Sequence, residues 1–489
     1  MKFLVLTTLM LMSTSVFSTT DPISLQKSQI DKAYEVAKES TLTYRRFKHS
    51  DVIQLIEKHR AHGHFAIQEI GLSAQGRSIQ RLAFGSGPKA VMLWSQMHGD
   101  EATATMALFD LFNFLKAEHD GFDPVRKLIK EQTSLYFIPM LNPDGAELFQ
   151  RRTAMNVDMN RDARAGKTIE GALLKAQAMS LKPQYAFNLH DQNSYYNVPG
   201  TKTPVSISLL APAFNQARAI NPVREGAMQI IAGMNRLLKQ YIPNAIAKYD
   251  DEYTPRGFGD NFQSWGASTV LIESGAFAGD PEKMEIRKLN FAIILNALVE
   301  IAQGSYKNYA AQEYHDLPFN ASQLHDLVLR DITVVKDGHS MAMDIAVRRT
   351  EVTQGRDYYV KGLVEDLGDL QDFYGYEEVT TGGLNFVEAK EYPAVRASSE
   401  GFTPAEAFAI LKQGYASVRC AHIDPQMLHS LPLLLTSEDK KPALAQSLAV
   451  GSAATFFLAQ GEQLKYAVVN GYLIDLSKDI PLNFKNKVN

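Results

Sequence analysis

Apolar positions recur along this chain with two periods, and the dominant period changes near residue 310. Residues 21–65 carry the three-and-four spacing of amphipathic helix. From residue 66 the pattern alternates. Residues 65–73 and 79–87 read as a β pair around the turn SAQGRS. The runs at 89–100, 133–145, 183–192 and 267–277 are nearly continuous apolar segments that break off in polar residues, as buried strands do. Between and after them, 101–119 and 284–302 have helical spacing. Continuous apolar strands alternating with amphipathic helices predict an α/β fold with a mixed, mostly parallel central sheet flanked by helices. Beyond residue 310, β-branched runs at 326–338, 341–352 and 464–476 alternate apolar with polar and are divided by glycine turns, with one helical stretch within 404–418. This predicts a smaller β-rich C-terminal domain. The resulting partition is a helical segment at 19–44, an α/β domain at 45–308, a linker at 309–322 and the β-rich domain at 323–489.

The length of 489 residues, 45% of them hydrophobic, agrees with more than one core, since single cores stop growing near roughly 250–300 residues. Net charge is −4 and no dense Lys/Arg run occurs, so nothing in the charge pattern points to nucleic acid or an anionic membrane. The first residues change the picture more. Lys2 precedes an apolar stretch at 3–12, and Val16 and Ser18 place small residues where a signal peptidase reads them. A signal peptide over 1–18 and export to the periplasm or beyond are expected. No later stretch reaches the roughly 18 apolar residues of a membrane helix. Cys420 is the single cysteine, which excludes an intrachain disulfide and reads as a buried small side chain.

Candidate chemistry sits where the predicted strands stop. His98-Gly99-Asp100-Glu101 follows one strand and opens a helix, so that an imidazole and a carboxylate three residues apart can converge on one cation. Asn142-Pro143-Asp144-Gly145 ends another, His190 follows YAFNL in a third, and Glu273 follows TVLI in a fourth. Ligands of open α/β sheets bind outside the carboxyl ends of the strands, and a charge at the edge of a core needs a partner, a metal or a task. Elsewhere the residues read as ordinary surface. Arg152 and Arg164 are expected to be solvated, the histidines at 59, 62 and 64 to mark an exposed helix end, and Asp250-Asp251-Glu252 to form a solvated acidic face.

In order along the chain, these motifs resemble the zinc metallocarboxypeptidases related to carboxypeptidase A, over about residues 45–305. The resemblance rests on IGLSAQGRSI, His98-x-x-Glu101, Asn142–Gly145, Arg151-Arg152-Thr153, Asp158-Met159-Asn160-Arg161, His190 and Glu273 in LIESG. It implies one Zn²⁺ held by His98, Glu101 and His190, with a fourth position left for water. It implies Glu273 as general base and Arg151 as the group that polarises the scissile carbonyl. Asn160 and Arg161 would hold the terminal carboxylate of a peptide, Asp158 would orient His98, and Tyr253 would be the mobile tyrosine of the site. The expected partner is a peptide with a free C-terminal carboxylate. The sequence departs from the family at Asp191, where a serine is common, and between Tyr253 and Glu273, which is short. Two alternatives stand beside this reading. One is a zinc amidase of the same fold acting on cell-wall peptides or N-acyl amino acids, and the other is a binding protein without catalysis. The runs at 324–338 and 451–476 faintly resemble strands of the small β domain of amidohydrolases, with no His-x-His motif beside them.

Overall fold

A computed structural model describes residues 22–445, 447–479 and 483–489. The signal-peptide reading of 1–18 falls outside the described residues. The α/β region is built on strands β1 (Ala66–Leu72), β2 (Ser78–Phe84), β3 (Lys89–Trp94), β4 (Thr133–Ile138), β5 (Tyr185–Asp191), β6 (Ile207–Leu210), β7 (Ile246–Lys248) and β8 (Ser268–Ser274). They form one sheet in the order β1-β2-β4-β3-β5-β8-β6-β7. Its centre, β4-β3-β5-β8, is parallel throughout. The β1–β2 hairpin joins β4 antiparallel, and β6 joins β8 antiparallel. This is the α/β class with a mixed sheet expected from the apolar pattern.

The helices are α1 (Lys27–Ala37), α2 (His49–His62), α3 (Thr103–Lys116), α4 (Asp123–Gln132), α5 (Pro143–Leu148), α6 (Ile169–Leu181), α7 (Pro222–Leu238), α8 (Phe258–Ser264) and α9 (Met284–Gln303). Side chains alternate across each strand. Val91, Leu93, Phe187, Leu189, Val270 and Ile272 bury one face of the sheet against α3, α7 and α9. Met92, Trp94, Ile138 and Ala186 bury the other against α6 and α8, where Phe262 stacks on Trp94 at 4.3 Å between centroids. Ile30, Ala33 and Tyr34 of α1 enter the first of these cores. The fully buried Arg287 of α9 fixes the segment that follows α1. It pairs with Asp110 of α3 and donates to the carbonyls of Glu39 and Leu42. Helix α2 ends at Gly63 in the left-handed conformation that glycine adopts freely. His59 on its last turns is buried, not exposed as expected. It packs edge-on against Phe65 and Phe112, because the helix turns that face to the aromatic core.

The C-terminal region is β-rich, as expected. Strands β9 (Leu324–Lys336), β10 (His339–Gln354) and β11 (Asp357–Gly368) form an antiparallel meander, and β12 (Tyr374–Thr380) pairs parallel with β9. A second, four-stranded sheet surrounds Tyr415–His422, where Cys420 is buried and free. The helix Pro404–Leu411 starts from a capping box between Thr403 and Glu406. Arg45 and Arg46 cross to this region and share Glu351 at 3.0 and 2.6 Å. Arg46 lies between the rings of Phe149 and Tyr358 at 4.3 and 4.2 Å. Residues 309–322 are partly ordered on the α/β domain through the short helix Gln312–His315 and backbone pairing of Asn197 with Ala321. No helix of the described residues is long and apolar enough to cross a membrane.

Candidate active site

The four parallel strands all deliver residues to one edge of the sheet. Beyond β3 the chain turns through His98-Gly99, and beyond β4 through Asn142–Gly145, and these two turns pack directly together. A Cβ on Gly99 would lie 2.0 Å from the carbonyl carbon of Gly145, so only glycine permits this approach. Asn142 caps α5 by accepting the Gly145 N–H at 2.9 Å. Asp144 accepts from Ser73, Arg77 and the Gln75 N–H, which ties the β1–β2 turn to the same place. His190 and Glu273 are register partners on β5 and β8 and share a face. On that face the side chains of Asn188, Leu271 and Glu273 border a cavity of about 450 Å³.

Three lone-pair donors meet in this cavity. His98 Nδ1 lies 2.7 Å from Glu101 Oε1, His190 Nδ1 lies 2.6 Å from Glu101 Oε2, and the two Nδ1 atoms are 3.2 Å apart. Nitrogen ligands about 2.05 Å from a tetrahedral ion are roughly 3.3 Å apart, so the pair of imidazoles has the separation a bound ion imposes. The donor set, two imidazoles and one carboxylate, suits zinc. The residues present therefore fit the metal that the motifs imply. All three are buried and their donor atoms converge on one place.

The surroundings orient these donors. His98 Nε2 lies 3.1 Å from Asp158 Oδ1, and a proton held there would make Nδ1 available as a ligand when a metal displaces its own proton. Arg151 donates to Asp158 Oδ2 and to Glu101 Oε1, both at 3.1 Å, and the Asp191 N–H donates to Glu101 Oε2 at 3.2 Å. Burial alone would lower the His98 imidazole pKa, but the Glu101 charge and the Asp158 bond outweigh it and raise it to about 9. Burial would raise Glu101, yet the two imidazoles hold its carboxylate below the ordinary range. Glu273 is pushed well above the usual carboxylate range, first by burial and then by the negative charge of Glu101. Asn160 and Arg161 line the same cavity. The Oδ1 of Asn160 is engaged by the Phe258 N–H at 2.9 Å, so its amide N–H₂ is the free donor.

Of the residues singled out in the sequence, His98, Glu101, Arg151, Asp158, Asn160, Arg161, His190 and Glu273 come together here. Tyr253 does not. Glu252 and Thr254 line the cavity, and Tyr253 is not among its lining residues. Two tyrosines line the wall, Tyr196 and Tyr249, whose rings meet edge-on at 5.5 Å, and Tyr249, just past β7, donates its N–H to the Leu209 carbonyl at 3.3 Å. Burial and the charge of Glu273 push its phenol pKa up. Reading 246–248 as a strand is the signal that would have found it. Asn188 was also missed. It is fully buried at the cavity floor, and neither its amide oxygen nor its nitrogen has a partner. Asp191 turns from the metal donors and pairs with the buried Lys283 at 3.1 Å. The acidic run divides. Asp251 is held by Arg224 and Arg218, whereas Asp250 and Glu252 border the cavity. Arg152 and Arg164 are exposed, as expected.

An α/β sheet whose parallel strands end in a His, Glu and His cluster defines a metallohydrolase-like centre. Residues 53–188 match the zinc carboxypeptidase family, which bears out the resemblance drawn from the motifs over that segment. The match includes His98, Glu101, Arg151, Asp158, Asn160 and Arg161 and ends before His190, which reaches the cluster through β5. Carboxypeptidase SOL1 of Arabidopsis thaliana is 39% identical over 66 residues, 14% of this chain and 13% of that protein. Cytosolic carboxypeptidase 6 of Mus musculus is 27% identical over 140 residues, 27% of this chain and 25% of that protein. This chain thus spans a quarter or less of these two relatives. A metallo-carboxypeptidase from Burkholderia cenocepacia superimposes with a TM-score of 0.41 at 16% identity, covering 52% of this chain and 68% of that one.

Proposed function

We propose that the protein is a zinc-dependent carboxypeptidase that hydrolyses the last peptide bond of a polypeptide. The observation that carries this reading is the convergence of His98 Nδ1, His190 Nδ1 and the Glu101 carboxylate within 2.6–3.2 Å of one another, beside Glu273 and a cationic wall. When bound, zinc supplies Lewis acidity that makes water a stronger acid and polarises a carbonyl.

The chain's own residues do the rest. Arg161 offers a planar fork and Asn160 a free amide donor to the terminal carboxylate, which only a chain end presents. Arg151 donates to the scissile carbonyl oxygen as negative charge develops there. Glu273 removes a proton from the water that attacks the carbonyl carbon, then delivers it to the amine nitrogen as the C–N bond breaks. Asp158 keeps the His98 proton on Nε2. The export expected from residues 1–18 belongs to the same proposal and places the substrate outside the cytoplasm.

The test compares an N-blocked dipeptide that has a free carboxylate with the same compound as its C-terminal amide. Loss of charge-assisted hydrogen bonds worth roughly 1.5–3 kcal/mol should slow the amide at least about tenfold in kcat/KM. Equal rates would discard the carboxypeptidase reading in favour of another amide hydrolysis, and no hydrolysis of either would favour a binding protein.

A further inference from the structure

A second and larger cavity, about 740 Å³, lies between the α/β region and the β-rich region, and it shares Gln192 and Asn193 with the candidate active site. Asn160 and Arg161, which would anchor a terminal carboxylate, line the first cavity and not the second. A peptide held at its C-terminus and continued past the metal donors therefore leaves over Gln192 and Asn193. That path leads into the second cavity.

The wall along this path is built rigidly, and from both regions. Gln192 is fixed by Ser208 Oγ, which donates to its Oε1 at 2.8 Å, and by its own donation to the Val205 carbonyl at 3.1 Å. The loop then turns on Asn193, whose Oδ1 accepts the Tyr195 N–H at 2.9 Å. The β-rich region straps this loop down. Tyr195 donates to Asp326 at 2.6 Å, Tyr376 donates to the Ser194 carbonyl, and the Arg348 guanidinium lies 4.5 Å from the Tyr195 ring centroid. Across the cavity, Phe277 is 40% exposed.

The chemistry of this lining is that of a polypeptide site. The lining charges balance: Arg348 pairs with Glu365, Arg349 with Asp326 and Arg45 with Glu351, while Lys283 is held by Asp191 outside the cleft and Asp280 accepts from the Met284 and Glu285 N–H groups. No net charge is left to select an ion. The lining also presents three aromatic rings, those of Tyr195, Phe277 and Tyr376. Aromatic faces complement neutral, apolar side chains. The volume is within the range of about 300–1,000 Å³ of small-ligand sites, and four extended residues need about 13 Å. We propose that this interdomain cleft binds the stretch of substrate N-terminal to the scissile bond, so that the β-rich region forms the upstream half of the substrate site. The proposal rests on the peptidase reading above.

The experiment compares an N-blocked dipeptide with an N-blocked hexapeptide that ends in the same two residues. Wild type should show a kcat/KM ratio of hexapeptide to dipeptide of about tenfold or more. Ala278→Trp, which fills the cleft from its exposed lining loop, should bring that ratio near one, and Phe277→Ala should lower it severalfold. A wild-type ratio near one, or a ratio unchanged by Ala278→Trp in a protein of wild-type melting temperature, overturns the proposal. Failure of the peptidase reading looks different: neither peptide is cleaved. Calorimetric binding of the two peptides then decides. Tighter binding of the hexapeptide, lost in Ala278→Trp, upholds the cleft as a peptide site, and equal binding overturns it.

Discussion

Removing the carboxylate of Asp158 should loosen the metal without unfolding the protein. Asp158 accepts from His98 Nε2 at 3.1 Å and from Arg151 at 3.1 Å, and it ligates nothing itself. A hydrogen bond to a charged acceptor contributes roughly 1.5–3 kcal/mol, and Asp158 is half-buried, which places it toward the lower end. Each 1.4 kcal/mol is a factor of ten, so Asp158→Ala should weaken zinc about 10–100-fold. A second effect has the same sign. Arg151, released from Asp158, keeps its bond to Glu101 Oε1 and competes with the ion for that oxygen. Asp158→Asn keeps an acceptor for the Nε2–H but loses its charge, a difference of roughly 1 kcal/mol or about fivefold. The assay is competition of the dialysed protein against a chromophoric chelator at neutral pH, with melting of the metal-free forms as the control for folding. Unchanged zinc affinity in Asp158→Ala, or a larger loss in Asp158→Asn than in Asp158→Ala, would refute the claim that this carboxylate sets the His98 tautomer.

Glu273→Gln should lower kcat by about 10²–10⁴ while zinc content stays at wild-type level, measured by steady-state kinetics beside metal analysis. Asp110→Ala strands the fully buried guanidinium of Arg287 and should cost roughly 3–5 kcal/mol in denaturant unfolding. Glu351→Gln tests the bond between the two regions through pH. Burial would raise the Glu351 pKa, but Arg45 and Arg46 outweigh it and hold it below the ordinary value. Its contribution is therefore full above the unfolded value near 4.3 and is lost as pH falls through the lower folded value. The melting temperature of Glu351→Gln should lie below wild type at pH 7 and converge with it as the pH drops below about 4. Gly99→Ala forces a Cβ into the Gly145 backbone, and it should lower both the melting temperature and zinc content.

The part of this molecule that could be read in advance is the part where burial makes the sequence unambiguous. Strands β3, β4, β5 and β8 are covered on both faces, so they are continuous apolar runs, and His190 and Glu273 stand out against them. The shorter strands β6 and β7 carry no such contrast. Strand β6 is placed by pairing with β8 and β7 by pairing with β6, so no local pattern marks Tyr249. The buried place of His59 is not legible in advance, because helical position alone does not reveal the aromatic core that its face meets. The β-rich region was legible as strands but not as a sheet. The parallel pairing of β12 with β9 links segments far apart in sequence, and no local pattern encodes it.

Arg46 has a consequence for anyone who would cut this protein in two. Its change of texture near residue 310 invites a shortened version that keeps the metal donors and drops the rest. In such a fragment the guanidinium would lose Glu351, Thr353 and the ring of Tyr358 together, and keep Phe149 alone. A cation sealed at 2% exposure would then have to find water or a new counterion. The boundary visible in composition is thus not a seam along which the molecule comes apart, and the metal-bearing half should survive proteolysis poorly on its own.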